Sequence, residues 1–273
     1  RLLANQALRD QRHRLEAFHG SDQGGAAAIA AAWPYLGHDD RDLRYAARIA
    51  IEWQDRALWR EKALTESDPR TAIHALIALA RHGEPELAGR VLARLCALPF
   101  ESLTHDDRLA LLRAASLALL RLQPIAAADA AALATRLDAF FPSGDETLDA
   151  ELCRVLAHLD APNVVGKTLA LMATTTPKAL AYDTAMLARH EYGAPILKAM
   201  ANTPNAQNIH YAYAIRRTQN GWTRDLRKQY FGWLNDTLQK DGGKSFAGYV
   251  RAIREDAIAH LPPADAAAVS WLL

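Results

Sequence analysis

The chain has 273 residues, 50% of them hydrophobic and only 7% aromatic, and its 32 basic residues nearly cancel its 31 acidic ones to leave a net charge of +1. That balance argues against a nucleic-acid partner, which calls for a strongly basic face or domain. No uninterrupted apolar run of about 20 residues is present to cross a bilayer, since stretches such as "LALLRAASLALLRL" are broken by Arg113 and Arg121.

Alanine and leucine dominate the apolar set while valine and isoleucine are sparse. The expected class is therefore all-α, with helices packed closely on small side chains. The chain opens with "RLLANQALRD", without an initiator Met or a signal peptide, as in a processed chain or a segment of a larger protein. Its first 18 residues read as a helix with Leu3, Leu8, Leu15 and Phe18 on the apolar side.

Four later stretches resemble one another: "HDDRDLRYAARIAIE" (38–52), "ESDPRTAIHALIALAR" (66–81), "LTHDDRLALLRAASLAL" (103–119) and "SGDETLDAELCRVLAHL" (143–159). Each begins with an acidic turn and continues at helical spacing, with Asp40, Asp68, Asp107 and Asp145 falling 28, 39 and 38 residues apart. An Asp at the N-cap accepts bonds from otherwise unpaired amides and favours the positive end of the helix dipole. Arg41, Arg70 and Arg108 follow closely, placed to pair with an acidic turn of a neighbouring repeat. Ala46, Ala47, Ala75, Ala114 and Ala115 allow close helix approach.

Partner helices are expected near 27–36, 56–65, 85–97, 126–140 and 163–173, separated by breaks such as "GSDQGG", "HGEP" and "FPSGD". More follow near 178–190, 194–201, 205–219, 223–239, 246–260 and 264–272. The pattern resembles HEAT repeats, helix pairs stacked into an α-solenoid. The expected organisation is one domain over 1–273, with repeats over 1–204 and an aromatic-rich C-terminal capping unit over 205–273.

Sites of chemistry are scarce. "DGGKSFAGY" (241–249) carries the end of a phosphate-binding loop, but the first glycine of that motif would fall at Leu238 and the preceding segment is helical. The glycines instead suit a helix end, with Ser245 capping a helix whose apolar set is Phe246, Tyr249, Val250, Ile253, Ala257 and Leu261. The ten histidines include no HExxH pair, so no metal is expected; His74 and His158 read as core or groove residues. Cys96 and Cys153 read as buried free thiols, and no G-x-S-x-G elbow occurs.

The candidate partner-binding residues are the aromatic–basic cluster His210, Tyr211, Arg216, Arg217, Trp222, Arg227, Tyr230 and Trp233. Tyr, Trp and Arg anchor interfaces by offering rigid area with polar tips. The competing reading is that Trp222, Tyr230 and Trp233 only seal the end of the stack.

"AAWPYLGHDDRDLRYAARIAIE", "EKALTESDPRTAIHALIALARHG", "IHYAYAIR", "GWTRDLRKQYFGWLN" and "GGKSFAGYVRAIREDAI" resemble the HEAT-like region of large multidomain bacterial membrane-bound-dehydrogenase and c-type cytochrome proteins. The resemblance is strongest in the Gly-Trp-Thr and Gly-Gly-x-Ser-Phe stretches. It implies a spacer or docking segment exported to the periplasm or cell surface. Haem c would lie in a flanking domain or partner, because this chain has no C-x-x-C-H.

The resulting expectation is a non-catalytic scaffold that contacts protein domains or subunits of the same assembly, with no cofactor of its own. Two alternatives stand beside it. One is tetrapyrrole or small-molecule binding in the solenoid groove; the other is a HEAT-like DNA glycosylase using Trp33, Trp53 and Trp59 as grips.

Overall fold

The computed structural model describes residues 2–20, 24–175, 189, 193–195, 197, 202–240 and 244–270. Its α-helices are α1 (Leu2–Glu16), α2 (Gly25–Ala32), α3 (Arg41–Glu52), α4 (Arg60–Thr65), α5 (Pro69–His82), α6 (Ala88–Ala97) and α7 (His105–Arg121). There follow α8 (Ala127–Asp138), α9 (Glu146–His158), α10 (Val164–Thr174), α11 (Ala206–Ile215), α12 (Arg224–Leu238), α13 (Lys244–Ala259) and α14 (Pro263–Val269). Among the described residues there is no strand, and the fold is all-α. The helices expected near 178–190 and 194–201 fall largely outside the described residues, as do Gly242 and Gly243.

Short polar side chains start these helices. Asp40 accepts from the amides of Asp42 and Leu43 at the head of α3, Asp68 from Thr71 at α5, and Asp145 from Leu148 at α9. The expected cap at Asp107 is corrected. Thr104 caps α7 by accepting from the Asp107 amide at 3.2 Å, while its hydroxyl donates to Asp107 Oδ2 at 2.7 Å. Asp107 therefore lies buried in the first turn, in a reciprocal arrangement of the capping-box kind. Ser245 is corrected too: α13 begins at Lys244, which puts Ser245 inside the helix. Gly83 ends α5 with φ of +74°, the left-handed conformation that glycine adopts without strain.

The chain divides into two compact units, Arg1–Arg136 and Leu137–Leu273. In the first, α1, α3, α5 and α7 lie side by side in chain order, and α2, α4 and α6 form a second layer against α3, α5 and α7. In the second, α9, α11 and α13 make one layer while α10 and α12 make the other, with α14 packed on α12. Each unit thus stacks helix pairs in the manner of an α-solenoid. The expected start of the capping segment, residue 205, falls inside the second unit.

The first layer packs on alanine. Ala46, Ala47, Ala50, Ala72, Ala75, Ala78, Ala114, Ala115 and Ala118 are at most 1% exposed. Leucine and isoleucine (Leu43, Ile51, Ile73, Leu76, Leu111, Leu112) are buried with them, as are Val91, Leu92 and Leu95 of the second layer. Trp59 is wholly buried and meets His82 edge-on at 5.7 Å.

Across the first unit, guanidinium groups tie one repeat to the next. Arg70 reaches Asp107 at 2.9 Å and Asp39 at 2.7 Å; Arg81 meets Glu52 at 3.0 Å; Arg90 meets Glu61 at 2.7 Å; Arg136 meets Glu101 at 2.9 Å. The expectation for Arg70 holds. Arg108 instead donates to the carbonyls of Phe100 and Glu101 in the turn before its own helix, and Arg41 is exposed. The exposed pairs stay hydrated and screened, so their role is to fix register more than to supply stability.

His74 on α5 is the one expected histidine that stays largely buried; His158 is corrected to an exposed position at the end of α9. Burial, and then the charges of Arg44 and Arg48, bring the His74 pKa from 6.5 down to about 4. The unfolded chain therefore binds the proton first as pH falls, so the stability His74 contributes is complete above about 6.5 and is lost progressively toward about 4. His74→Asn is expected to lessen the loss between pH 7 and pH 5 by about 1–2 kcal/mol, measured as the difference in urea unfolding free energy between those two pH values; an unchanged pH dependence would rule this assignment out.

Candidate interaction surface

The aromatic–basic cluster of the second unit separates into a buried half and an exposed half. Tyr211 on α11 and Tyr230 on α12 are each 1% exposed. Burial pushes the Tyr211 hydroxyl up to about 12 and raises that of Tyr230 further, while Tyr230 donates its hydroxyl to the Ala212 carbonyl at 2.9 Å. Both build the core. Trp222 packs edge-on against Tyr230 at 5.4 Å and donates its indole N–H to the Thr218 carbonyl at 2.9 Å. Trp233 is half-buried. His210 bonds the Ala150 carbonyl of α9 through Nε2 at 3.2 Å, joining two helices of one layer.

Arg227 belongs to this buried half. Only 5% exposed, its guanidinium lies 4.8 Å from the Trp222 ring centroid and pairs with Asp265 of α14 at 2.7 Å. Burial lowers its pKa in spite of that carboxylate. Asp265 thus ties α14, a helix of seven residues that is too short to persist alone, to α12.

The "NGWT" stretch has a local physical reason. Gly221 has φ of +78°, and a Cβ there would stand 2.2 Å from the Pro162 carbonyl oxygen, so no other residue fits. Asp160 accepts from the amides of Gln219 and Asn220 at 2.7 and 3.0 Å, binding the two turns together. Thr223 then caps α12 through the Leu226 amide.

The exposed half centres on residues outside the predicted site. Tyr213 on α11 and Tyr249 on α13 are 41% and 48% exposed, and their rings stack at 6.0 Å with planes 23° apart. This corrects the placement of Tyr249 in the apolar set of its helix. The Arg216 guanidinium lies 3.6 Å from the Tyr213 ring centroid. Arg216 and Arg217 both donate to Asp256, at 2.6 and 2.7 Å, and hydrogen bonds from Arg217 and Arg216 hold that carboxyl down at about 2. Of the predicted residues, the structure gathers Arg216 and Arg217 here and places Trp222, Arg227 and Tyr230 together elsewhere. The sequence signal for Tyr213 was its spacing, three and four residues before the two arginines in "YAIRR".

Other groups offer little chemistry. Burial pushes the Cys153 thiol up to about 12 and raises that of Cys96, so neither is a ready thiolate. Among the described residues, no group of three or more His, Cys, Asp or Glu side chains could hold a metal ion, and no helix is long and apolar enough to cross a membrane. A cleft of about 170 Å³ between α1 and α3 is lined by Leu8, Arg9, Arg12, Asp40, Asp42 and Leu43. It is smaller and more charged than the apolar pockets of several hundred Å³ that take drug-sized ligands. Of the three tryptophans considered as grips, Trp33 and Trp59 are buried and Trp53 is exposed.

Comparison with family models, with curated proteins and with solved structures gives no match. Asp265→Asn is expected to destabilise the second unit by about 1–3 kcal/mol, because it leaves a buried guanidinium without a counter-charge. Combining it with Arg227→Met should recover part of that loss in chemical denaturation; a double variant as unstable as the sum of the two singles would show that the pair is not coupled.

Proposed function

We propose that this chain is a non-catalytic helical scaffold whose second unit docks another protein domain or subunit of the same assembly. The supporting observation is the exposed Tyr213–Tyr249 stack beside Arg216 and Arg217, whose guanidinium groups Asp256 holds in place. Tyrosine and arginine supply large contact area at low rotamer cost, and groups fixed before binding lose less entropy when a partner arrives. Free thiols held protonated and the small charged cleft fit a supporting role better than a reacting one.

In this reading the assembly is the exported redox system implied by the sequence resemblance. Its location is the periplasm or cell surface, and any haem c belongs to a flanking domain or a partner.

The test is capture of the neighbouring domains of its own assembly by the full chain. Wild type is expected to retain at least one of them, and Tyr213→Ala/Tyr249→Ala to bind it about tenfold or more weakly. The melting temperature of that double variant should stay within a few degrees, since both side chains are exposed. A chain that retains none of its neighbours, or a double variant that binds as well as wild type, overturns the proposal.

A further inference from the structure

Charge on the docking surface of the second unit is not balanced. The guanidinium groups of Arg216 and Arg217, just past the end of α11, share the single carboxylate of Asp256. Arg216 donates to it from Nε at 2.6 Å, and from Nη1 to the Tyr213 carbonyl at 2.6 Å. Arg217 donates to it from Nε at 2.7 Å and from Nη2 at 2.9 Å, a two-point grip along one edge of the guanidinium. His260 bonds the Asp256 carbonyl at 2.7 Å and adds no negative charge. Exposed Arg251 and Glu255 stand four residues apart on α13 and offset each other. Two positive groups thus meet one negative group.

Arginine carries five N–H donors in a planar fork, so one guanidinium can serve a carboxylate along more than one edge. Asp256 fills the Nε–Nη2 edge of Arg217. Its Nη1 has no acceptor among the described residues, and the side chain is 57% exposed, against 16% for Arg216. The remaining edge is therefore oriented by Asp256 and open to water.

A flat apolar platform adjoins that edge. Arg216, which meets Arg217 at Asp256 Oδ2, lies 3.6 Å from the Tyr213 ring centroid, and Tyr213 stacks on Tyr249. On α13, Tyr249, Ala252 and Asp256 share one face by helical spacing, and Tyr249 and Ala252 are exposed. Ala252 ends at Cβ and so leaves room between the ring pair and the carboxylate.

Resting on the docking role proposed above, we infer that the partner engages this surface through an acidic segment. One of its carboxylates seats on the open edge of Arg217, and an adjacent proline or aromatic residue lies on the two tyrosine rings. That carboxylate brings the two guanidinium charges into balance through a charge-assisted pairing, the stronger and more directional kind. Rings that are already fixed accept another ring at little further cost in side-chain freedom. Aromatic rings beside arginine also serve single-stranded nucleic acid, but a strand needs basic groups tracking its backbone. This surface has a surplus of one positive charge in a chain of net charge +1.

The experiment titrates the full chain with the peptides Glu-Glu-Pro-Trp-Glu-Glu and Gln-Gln-Pro-Trp-Gln-Gln and with hexathymidylate, followed by calorimetry and by the NMR signals of arginine Nε–H and tyrosine ring groups. The acidic peptide is expected to bind about tenfold or more tightly than its neutral counterpart, and less tightly as salt is raised. Arg217→Gln, and separately Tyr213→Ala/Tyr249→Ala, should weaken it about tenfold. Arg41→Gln, which removes an exposed positive charge from the first unit, should change its affinity by no more than about twofold.

Equal affinity for the two peptides, including none for either, overturns the inference and requires no variant to fold. Tighter binding of hexathymidylate than of the acidic peptide does so as well, and so does wild-type affinity in Arg217→Gln shown to be folded by circular dichroism. Acidic-peptide binding through Arg217 by a chain that retains none of its neighbouring domains would leave this chemistry standing and remove only the partner's assignment to that assembly. Neighbour capture that Arg217→Gln leaves unchanged would do the reverse.

Discussion

The first unit depends on helix faces lined by buried alanine. Helices whose facing side chains end at Cβ approach near the lower end of the usual 8–10 Å axial spacing. Ala46, Ala47, Ala50, Ala75, Ala78, Ala114 and Ala115 lie on α3, α5 and α7 and are all essentially without solvent contact. Close faces of this kind suit the polar contacts at the helix ends, where Arg70 of α5 grips Asp107 of α7 and Asp39 before α3. A larger residue on any of these faces would overpack the contact, at a cost of about 1–3 kcal/mol. It would also lengthen the ion pairs beyond it.

This close packing separates two kinds of charged group. Pairs at the rim, such as Arg90–Glu61 and Arg136–Glu101, remain hydrated and hold the repeats in register. Groups drawn inward lose hydration: Arg48 and Arg227 have their pKa values lowered by burial, and each needs its carboxylate, Glu52 or Asp265, to stay charged at modest cost. The second unit uses the same rule with other parts. There the turn at Asp160 and the glycine at 221 replace an arginine ladder in setting how two connections meet.

Much of this was legible from the residues. Caps at Asp40, Asp68 and Asp145, the buried alanines and the inter-repeat role of Arg70 all follow from spacing within a helix or from one repeat to the next. Asp107 misled because Thr104, three residues earlier, is an equally good cap, and a one-turn shift in helix start converts a cap into a buried partner for Arg70. The candidate surface was legible only in half. Nothing within "HYAYAIRR" says which of its two tyrosines faces inward, because α11 has apolar residues on most of its circumference. Asp256, which orders the two arginines, lies 40 residues from Arg216, beyond any local pattern. Tyr249 shares its helical phase with core residues, and only tertiary packing leaves it in solvent.

The difference between Tyr211 and Tyr213 shows how the scaffold assigns roles. Two positions apart on a helix, they point about 200° from each other, so once α11 is clamped against α9 by His210 and against α10 by its own apolar face, one tyrosine must be buried and the other must emerge. Tyr211 then contributes burial, and Tyr213 contributes a flat ring whose neighbours are set by helix geometry: Arg216 one turn on, and Tyr249 from the adjacent helix. No flexible loop intervenes between the packed core and this ring. The rigidity of the exposed pair is thus inherited from the buried one, and a substitution that shifted Tyr211 would disturb the surface without touching it.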